Sequence, residues 1–321
     1  MEGWSTQYSA NPVAEIRKRD AKEETPSSVV LNDLTGEVYK DEDAVGGGSY
    51  SDVYTGLWMT GKAAALKVAI KVFRSHIYSR GDILKLDEIL KKEMHIWGSL
   101  KHPNIVLFYG IAFDFGKGPA MVSQWMNQGA LLEYVEKERS NLDFRARLNI
   151  CIAIAHGLSY LHSNNVIHGD LSPANVLMDQ GVPHISNFGL SDVVAELQGP
   201  FFFTVQSGTG ARWISPELLQ SADGDGVEGT PVLTMSCDVY SFASLVFYVV
   251  TGFLPYAHRR SNVTVIMEIM QSMQSNATAY PPRPAQSLLT DECWAILMQC
   301  WALDPAKRPN IHVVYQLLEE L

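Results

Sequence analysis

One short stretch, residues 166–177, constrains the fold and chemistry of this chain more than any other part of its sequence. It reads VIHGDLSPANVL, so two apolar pieces enclose a polar loop that carries His168, Asp170 and Asn175. A carboxylate can accept a proton from an incoming hydroxyl group, and an amide oxygen can bind a hard divalent cation. Placed five residues apart on one tight loop, Asp170 and Asn175 predict half of a phosphoryl-transfer site.

Two further motifs precede this loop. Residues 44–54 (AVGGGSYSDVY) are rich in glycine, and a β-rich run after them ends at Lys71. Glycines let a backbone approach phosphate oxygens closely. Each motif alone has an ordinary explanation, because glycines are common in hairpin turns and lysines are common on exposed strands. The three motifs in this order are more informative than any one of them.

Together these motifs resemble those of the protein kinase family. Residues 166–177 are similar to the catalytic loop H-R-D-L-x-x-x-N, and residues 187–189 (NFG) stand where the family has D-F-G. Residues 68–71 (VAIK) resemble V-A-I-K, and residues 215–217 (SPE) resemble A-P-E. The matches keep the family's order from about residue 44 to residue 320. Shorter motifs look most like the tyrosine-kinase-like branch, which mostly modifies serine and threonine.

The resemblance implies an α+β fold with two lobes, a β-rich N-lobe with one main helix and a mainly helical C-lobe. We expect a mobile N-terminal tail over residues 1–28, because that segment is polar and has no periodicity. The N-lobe is then expected over residues 29–125 and the C-lobe over residues 126–321, in a single kinase-like domain.

The spacing of apolar residues predicts several elements of this fold. Helices are expected over residues 82–100, 144–162, 239–250 and 311–321, and strands over residues 105–113 and 119–124.

The resemblance also implies an ATP site between the lobes. Lys71 would pair with Glu93 and direct its ammonium group at the α- and β-phosphates, and Asp170 would complete the catalytic set. The other positions that match nucleotide-contacting residues are Gly46, Gly48, Ser51 and Val53 in the glycine-rich loop, Ala69 above the adenine, Ser123 at the back, Gln124 and Met126 in the hinge, and Leu177 beneath.

Other matched residues would support this site from behind. The resemblance implies that Asp238 holds the backbone of the catalytic loop and that Arg308 pairs with Glu217. It also implies an internal stack of Phe188 and His168 with Trp97 and Phe108, and the sequence has all four of these side chains.

Besides Ser215 in place of the A-P-E alanine, four positions depart from the family's motifs. Ser51 replaces the third loop glycine, Gly169 replaces an arginine that reads a phosphorylated activation loop, and Ser172 replaces a lysine that touches the γ-phosphate. The fourth departure is Asn187, in place of the D-F-G aspartate. It matters most, because the family holds Mg²⁺ with that carboxylate and with the asparagine matched by Asn175.

Asn187 keeps a carbonyl oxygen but loses a full negative charge, and Mg²⁺ gives up water reluctantly for a neutral amide. A unit charge roughly 4 Å away is worth about 4 kcal/mol at an effective dielectric constant of about 20. A loss of a few kcal/mol at the transition state slows transfer by roughly 10²- to 10⁴-fold. The sequence therefore predicts an impaired pseudokinase that binds ATP and a protein partner, with a weakened and dispensable Mg²⁺ site at Asn175 and Asn187.

Two alternatives stay open. An active ATP-dependent serine/threonine kinase with an atypical metal site and a protein substrate fits the same motifs, because some active kinases lack one or another of the departing residues. A pure interaction domain without a nucleotide is disfavoured by the presence of Lys71, Glu93 and Ala69.

Composition limits the partners. The net charge of −10 disfavours nucleic acid, because affinity for a phosphate backbone comes from clustered basic charge. The most apolar segment, residues 239–250, is too short to span a bilayer, so no membrane is expected. The four cysteines fall at no metal-binding spacing and predict core thiols in a reducing, cytoplasmic setting.

Overall fold

The computed structural model describes residues 31–47, 51–61, 64–74, 90–91, 93–116, 118–188, 210–220, 233–275, 280–285 and 288–321. Residues 31–321 form one compact unit. The predicted tail, Gly48 and the first part of the predicted helix over residues 82–100 lie outside the described residues.

A five-stranded antiparallel sheet forms the first lobe, in the order β1-β2-β3-β5-β4. Its strands are β1 (Val38–Gly47), β2 (Ser51–Met59), β3 (Ala65–Phe73), β4 (Phe108–Ala112) and β5 (Ala120–Gln124). Side chains alternate across β3 as a strand requires: Val68 and Ile70 are fully buried on one face, while Ala69 and Lys71 on the other are partly accessible. That second face is therefore free to line a cleft.

The predicted strand over residues 105–113 is longer than the observed one, because its first part pairs elsewhere. Ile105 bridges to Ile185 in the second lobe, and the backbone N–H of Val106 donates to Ile185 O at 3.0 Å. Only residues 108–112 join the sheet as β4. The apolar run of this segment therefore connects the two lobes rather than extending one strand.

Helix α1 accompanies the sheet, and its described part is residues 90–91 and 93–99. Leu90, Met94 and Trp97 are buried along one side of it and belong to the main hydrophobic core. These residues are part of the apolar stripe that the sequence predicts.

The second lobe is mainly helical. Its helices are α2 (Leu131–Lys137), α3 (Phe144–Ser163), α4 (Glu217–Gln220), α5 (Met235–Thr251), α6 (Asn262–Gln274), α7 (Asp291–Cys300) and α8 (Ile311–Glu319). Helix α3 begins where the side chain of Asp143 accepts a hydrogen bond from the backbone N–H of Ala146. Helix α5 is buried along nearly its whole length and ends at Gly252, whose φ of +71° suits a residue without a Cβ.

A small hairpin follows the catalytic loop and orients the residues on both sides of it. It consists of β6 (Val176–Asp179) and β7 (Val182–Ile185), joined by a two-residue turn in which Gln180 and Gly181 both have positive φ. Val176 pairs with Ile185, so Asn175 and Ser186 leave the hairpin side by side. The hairpin thereby brings residue 175 next to the segment that contains residue 187.

These elements confirm the predicted α+β architecture of a sheet lobe and a helical lobe. All four cysteines are buried free thiols, as predicted. Within the described residues, no helix combines the length and apolar character needed to cross a membrane.

Candidate active site

The backbone of the catalytic loop is held from below by Asp238. Its carboxylate accepts hydrogen bonds from the backbone N–H groups of His168 and Gly169, each at 2.8 Å, and lies 2.8 Å from Nε2 of His162. Asp238 is 1% exposed, so these contacts supply the polar partners that its buried carboxylate requires. The contact expected between Asp238 and the loop is therefore present.

Gly169 has a φ of +75°, in the left-handed region that favours glycine. A side chain at this position would carry backbone strain, and glycine avoids it. The replacement of the family's arginine also removes a basic side chain next to Asp170.

Asp170 and Asn175 are in direct contact. Asn175 Nδ2 donates to Asp170 Oδ2 at 2.9 Å and to the backbone oxygen of Asp170 at 2.7 Å. Burial raises the pKa of Asp170 to about 6, although the hydrogen bond from Asn175 opposes that shift. A carboxylate that titrates just below neutral pH is suited to accept a proton from a hydroxyl group.

Asn187 links this pair to Lys71. Lys71 Nζ donates to Asn187 Oδ1 at 3.2 Å, and Asn187 Nδ2 donates to Asn175 Oδ1 at 3.0 Å. We call the hydrogen-bonded chain of Lys71, Asn187, Asn175 and Asp170 the amide ladder. It joins strand β3 of the first lobe to the catalytic loop of the second.

The two carboxamides of the amide ladder are poor matches for the ligands that Mg²⁺ prefers. Asn175 and Asn187 offer only neutral amide oxygens, and both oxygens already accept hydrogen bonds from protein groups. The described part of the chain contains no group of three or more His, Cys, Asp or Glu side chains that could hold a metal ion. Mg²⁺ prefers one or two carboxylates in such sites, and neither of these positions supplies one.

Lys71 also faces Glu93, but at a longer distance. Lys71 Nζ and Glu93 Oε1 are 3.9 Å apart, and Glu93 Oε2 has no hydrogen-bond partner among the described residues. Burial raises the pKa of Glu93 to about 7, and the charge of Lys71 only partly offsets this effect. The lysine is therefore held more closely by Asn187 than by Glu93.

The register of the sheet aligns several predicted nucleotide-contacting residues. Gly46 pairs with Val53, and Val53 pairs with Lys71, so the three form one row across β1, β2 and β3. Ala69 pairs with Ser123 of β5, close to that row. Ser51 is buried at the start of β2.

The hinge positions have part of their backbone already engaged. The N–H of Gln124 donates to Leu107 O at 2.9 Å, so this N–H is committed to the fold and is not offered to a base. Met126 is buried, and Leu177 is partly buried and bridges to Ala130.

Sequence reasoning missed one contact at the end of the hinge. The backbone N–H and side-chain Nδ2 of Asn127 both donate to Asp179 Oδ1, at 3.3 and 2.9 Å. This contact ties the hinge to strand β6. Because the two residues are 52 positions apart, no local pattern in the sequence could have indicated it.

The predicted internal stack is present in part as ring contacts. Trp97 stacks on Phe108 with centroids 5.0 Å apart and meets the edge of Phe188 at 5.8 Å. His168 is fully buried, and its Nε2 donates to the backbone oxygen of Ser186 at 3.1 Å. The histidine is thus connected to the backbone just before Asn187.

Glu217 and Arg308 form a bidentate ion pair at the base of the second lobe. The two arms of the guanidinium group lie 2.6 and 2.7 Å from the carboxylate oxygens. Arg308 also donates to the backbone oxygens of Ala302 and Ser236, each at 2.9 Å. Burial would raise the pKa of Glu217, but the hydrogen bonds and charge of Arg308 outweigh burial and lower it.

Comparison with known proteins agrees with this geometry. The sequence profile of the family described as protein tyrosine and serine/threonine kinase matches residues 39–318. The chain is similar to Serine/threonine-protein kinase STY17 of Arabidopsis thaliana, with 28% identity over 88% of this chain and 44% of that protein. It is also 32% identical, over 92% of this chain and 16% of the relative, to Probable serine/threonine-protein kinase gdt4 of Dictyostelium discoideum. The chain thus spans less than half the length of these relatives.

Proposed function

The chain belongs to the protein tyrosine and serine/threonine kinase family, and from that premise we propose that it is a nucleotide-binding kinase-like domain with impaired phosphotransfer. It would act by binding ATP and a protein partner. The observation that carries this proposal is the amide ladder, in which a neutral carboxamide stands where the family places a charged metal ligand.

Nucleotide binding is supported by the cleft-facing side of the sheet. Val53 and Lys71 are paired across β2 and β3, and the small side chain of Ala69 is on the same face of β3 as Lys71. An ammonium group at the inner end of an apolar surface suits a ligand with a flat base and a phosphate chain. We expect a thermal shift and saturable binding of a fluorescent ATP analogue. No binding of nucleotide in either measurement would contradict this part of the proposal.

Impaired chemistry is supported by the charges that remain around the phosphates. Transfer of a phosphoryl group requires that negative charge on the β- and γ-phosphates be neutralised as the bond breaks. Lys71 supplies a positive charge, but the ladder supplies no carboxylate at position 187 to retain a cation. At an effective dielectric constant of about 20, each missing charge interaction near 4 Å costs about 4 kcal/mol before screening.

An active serine/threonine kinase is the second candidate, and one observation favours it. Asp170 is kept, lies in the catalytic loop and has a pKa raised by burial to about 6, which suits a base near neutral pH. Several similar proteins are named serine/threonine-protein kinases.

One assay on a small set of variants separates the two candidates. Transfer of the γ-phosphate to a generic protein substrate is measured for the wild type, for Asn187→Asp and for Asn187→Asp combined with Asp170→Ala. Restoring the carboxylate should raise the rate by roughly 10²- to 10⁴-fold, since a few kcal/mol of transition-state stabilisation is regained. The double variant should lose that gain.

A matched control is Asn149→Asp, which makes the same change on the exposed side of helix α3. It should leave the rate unchanged. If the wild type transfers phosphate at a measurable rate that Asn187→Asp does not exceed, the impairment is disproved and the active-kinase function stands.

A further inference from the structure

The hydrogen bonds of the amide ladder can run in only one direction. Lys71 has no acceptor, so the atom of Asn187 that faces it must be the carbonyl oxygen. Ionised Asp170 accepts only, so the atom of Asn175 that faces it must be the amide nitrogen. The remaining contact therefore joins the Asn187 nitrogen to the Asn175 oxygen, as donor to acceptor.

A carboxylate at position 187 would not complete this chain. It could accept from Lys71, but its second oxygen would then face the oxygen of Asn175 with no proton between them. Two facing acceptors repel each other unless a cation lies between them. The carboxamide of Asn187 supplies an N–H group at that point, so the polar atoms of the ladder are satisfied within the protein.

The backbone at this position also suits asparagine. Asn187 has a φ of +58°, in the left-handed region where asparagine, like aspartate, is several-fold enriched among residues other than glycine. Asparagine can therefore occupy this backbone conformation while both ends of its carboxamide form hydrogen bonds.

We propose that the cleft binds a nucleoside triphosphate without a divalent cation, with the N–H of Asn187 in the place that a cation would take. This inference rests on the proposed function and specifies the ionic form of its ligand. Lys71 has three donor protons, of which one is used by Asn187, so it can still donate to a phosphate oxygen. A cation entering between Asn175 and Asn187 would have to break their hydrogen bond and would gain only neutral oxygens in return.

The test compares the affinity of the full chain for a fluorescent ATP analogue in excess EDTA and in excess Mg²⁺, at matched ionic strength. For the wild type, the two dissociation constants should agree within about threefold. A ratio this small would mean that Mg²⁺ contributes little to the binding free energy of the nucleotide. For Asn187→Asp, binding should be tighter in Mg²⁺ than in EDTA by about tenfold or more. Displacement by unlabelled ATP checks that the dye itself is not the ligand.

Two further variants keep the test decisive. Asn149→Asp makes the same chemical change on the exposed side of α3 and should keep the wild-type ratio. Asn175→Asp places a carboxylate at the other carboxamide position of the amide ladder, next to Asp170. Nucleotide binding by this variant should also become dependent on Mg²⁺. If Asn187→Asp does not fold, the Asn175→Asp variant tests the proposal in its place.

The outcomes separate the two proposals. If wild type binds the analogue more than about threefold tighter in Mg²⁺ than in EDTA, or if both ladder variants keep the wild-type ratio, the cation-free site is disproved while nucleotide binding stands. If neither the wild type nor a folded ladder variant binds in either condition, the proposed function itself fails.

Discussion

Glu93 and Glu217 are both largely buried carboxylates with one basic partner each, yet their environments shift their pKa values in opposite directions. Glu217 receives both arms of Arg308 at 2.6 and 2.7 Å, and its pKa is lowered. Glu93 lies 3.9 Å from Lys71, and its pKa is raised to about 7. The Glu217 side chain keeps 22% of its surface exposed against 2% for Glu93, so Glu217 loses less water, and the donors of its partner also reach its oxygens.

The difference shows where this chain retains full charge pairs. The base of the helical lobe has a bidentate ion pair and the buried carboxylate of Asp238, which hold elements together without a ligand. In the cleft, the ammonium group of Lys71 is shared between a distant carboxylate and a neutral amide. In the helical lobe, which we call the scaffold, protein groups pair the buried charges closely. In the cleft, the charge of Lys71 is only partly paired by protein groups.

The largest expected effect comes from breaking the scaffold pair. Arg308→Met removes both guanidinium donors of Glu217 and leaves its carboxylate with the weak thiol donor of Cys237, and we expect the free energy of unfolding to fall by about 4 kcal/mol. Urea denaturation at neutral pH measures it. The control is Arg259→Met, which removes an exposed pair with Glu268 and should cost less than about 1 kcal/mol. Equal losses in the two variants would remove the contrast between scaffold and surface pairs.

A change of pH should act on the cleft carboxylate. Because the folded-state pKa of Glu93 is about 7, above its ordinary value of 4.5, the folded state binds this proton more tightly than the unfolded state. Its stabilising contribution is full below the unfolded pKa and is lost as the pH rises through the folded pKa of about 7. The loss is about 3 kcal/mol, from roughly 1.4 kcal/mol per pKa unit.

The variant that isolates this effect is Glu93→Gln, which cannot titrate. The wild-type free energy of unfolding, minus that of the variant, should fall as the pH rises from 4.5 to about 7. Other titrating groups cancel in this difference. A difference that stays constant with pH would mean that Lys71 fully offsets the effect of burial on the pKa of Glu93.

The smallest expected effect concerns Gly169 in the catalytic loop, between the helical lobe's ion pair and the cleft. Gly169→Ala adds a Cβ at a φ of +75° and should lower the free energy of unfolding by about 1 kcal/mol. Gly36→Ala is a suitable comparison, since Gly36 has a φ of +78° and the described residues leave open space where its Cβ would lie. If Gly169→Ala costs no more than Gly36→Ala, the anchoring by Asp238 tolerates a side chain there, and backbone conformation alone explains the cost.

Much of this architecture could be predicted because short motifs occur in a fixed order along the chain. The residues around Lys71, Asp170 and Asn187 indicated which segments form the cleft, and the observed contacts bring these three into one hydrogen-bonded chain. The buried helix α5 and the four core thiols also followed from apolar patterning. The local sequence carries this information because the spacing of apolar residues that marks a strand or a helix involves residues close together in the chain.

Other features required the folded chain. The apolar run over residues 105–113 gave no sign that Ile105 would pair with Ile185, and nothing near Asn127 pointed to Asp179. The predicted pairing of Lys71 with Glu93 is present, but its 3.9 Å separation depends on how α1 packs against the sheet. Distances of this kind arise from contacts between residues far apart in sequence.

By itself, the sequence determined the identity of the groups in the cleft: one ammonium, the carboxylates of Glu93 and Asp170, and two carboxamides, with no carboxylate at position 187. Only the tertiary structure decided that the two carboxamides bond to each other and that the chain of donors runs from Lys71 to Asp170. The physical reason is that an amide has both a donor and an acceptor, so its role depends on which partners the fold brings within hydrogen-bonding distance.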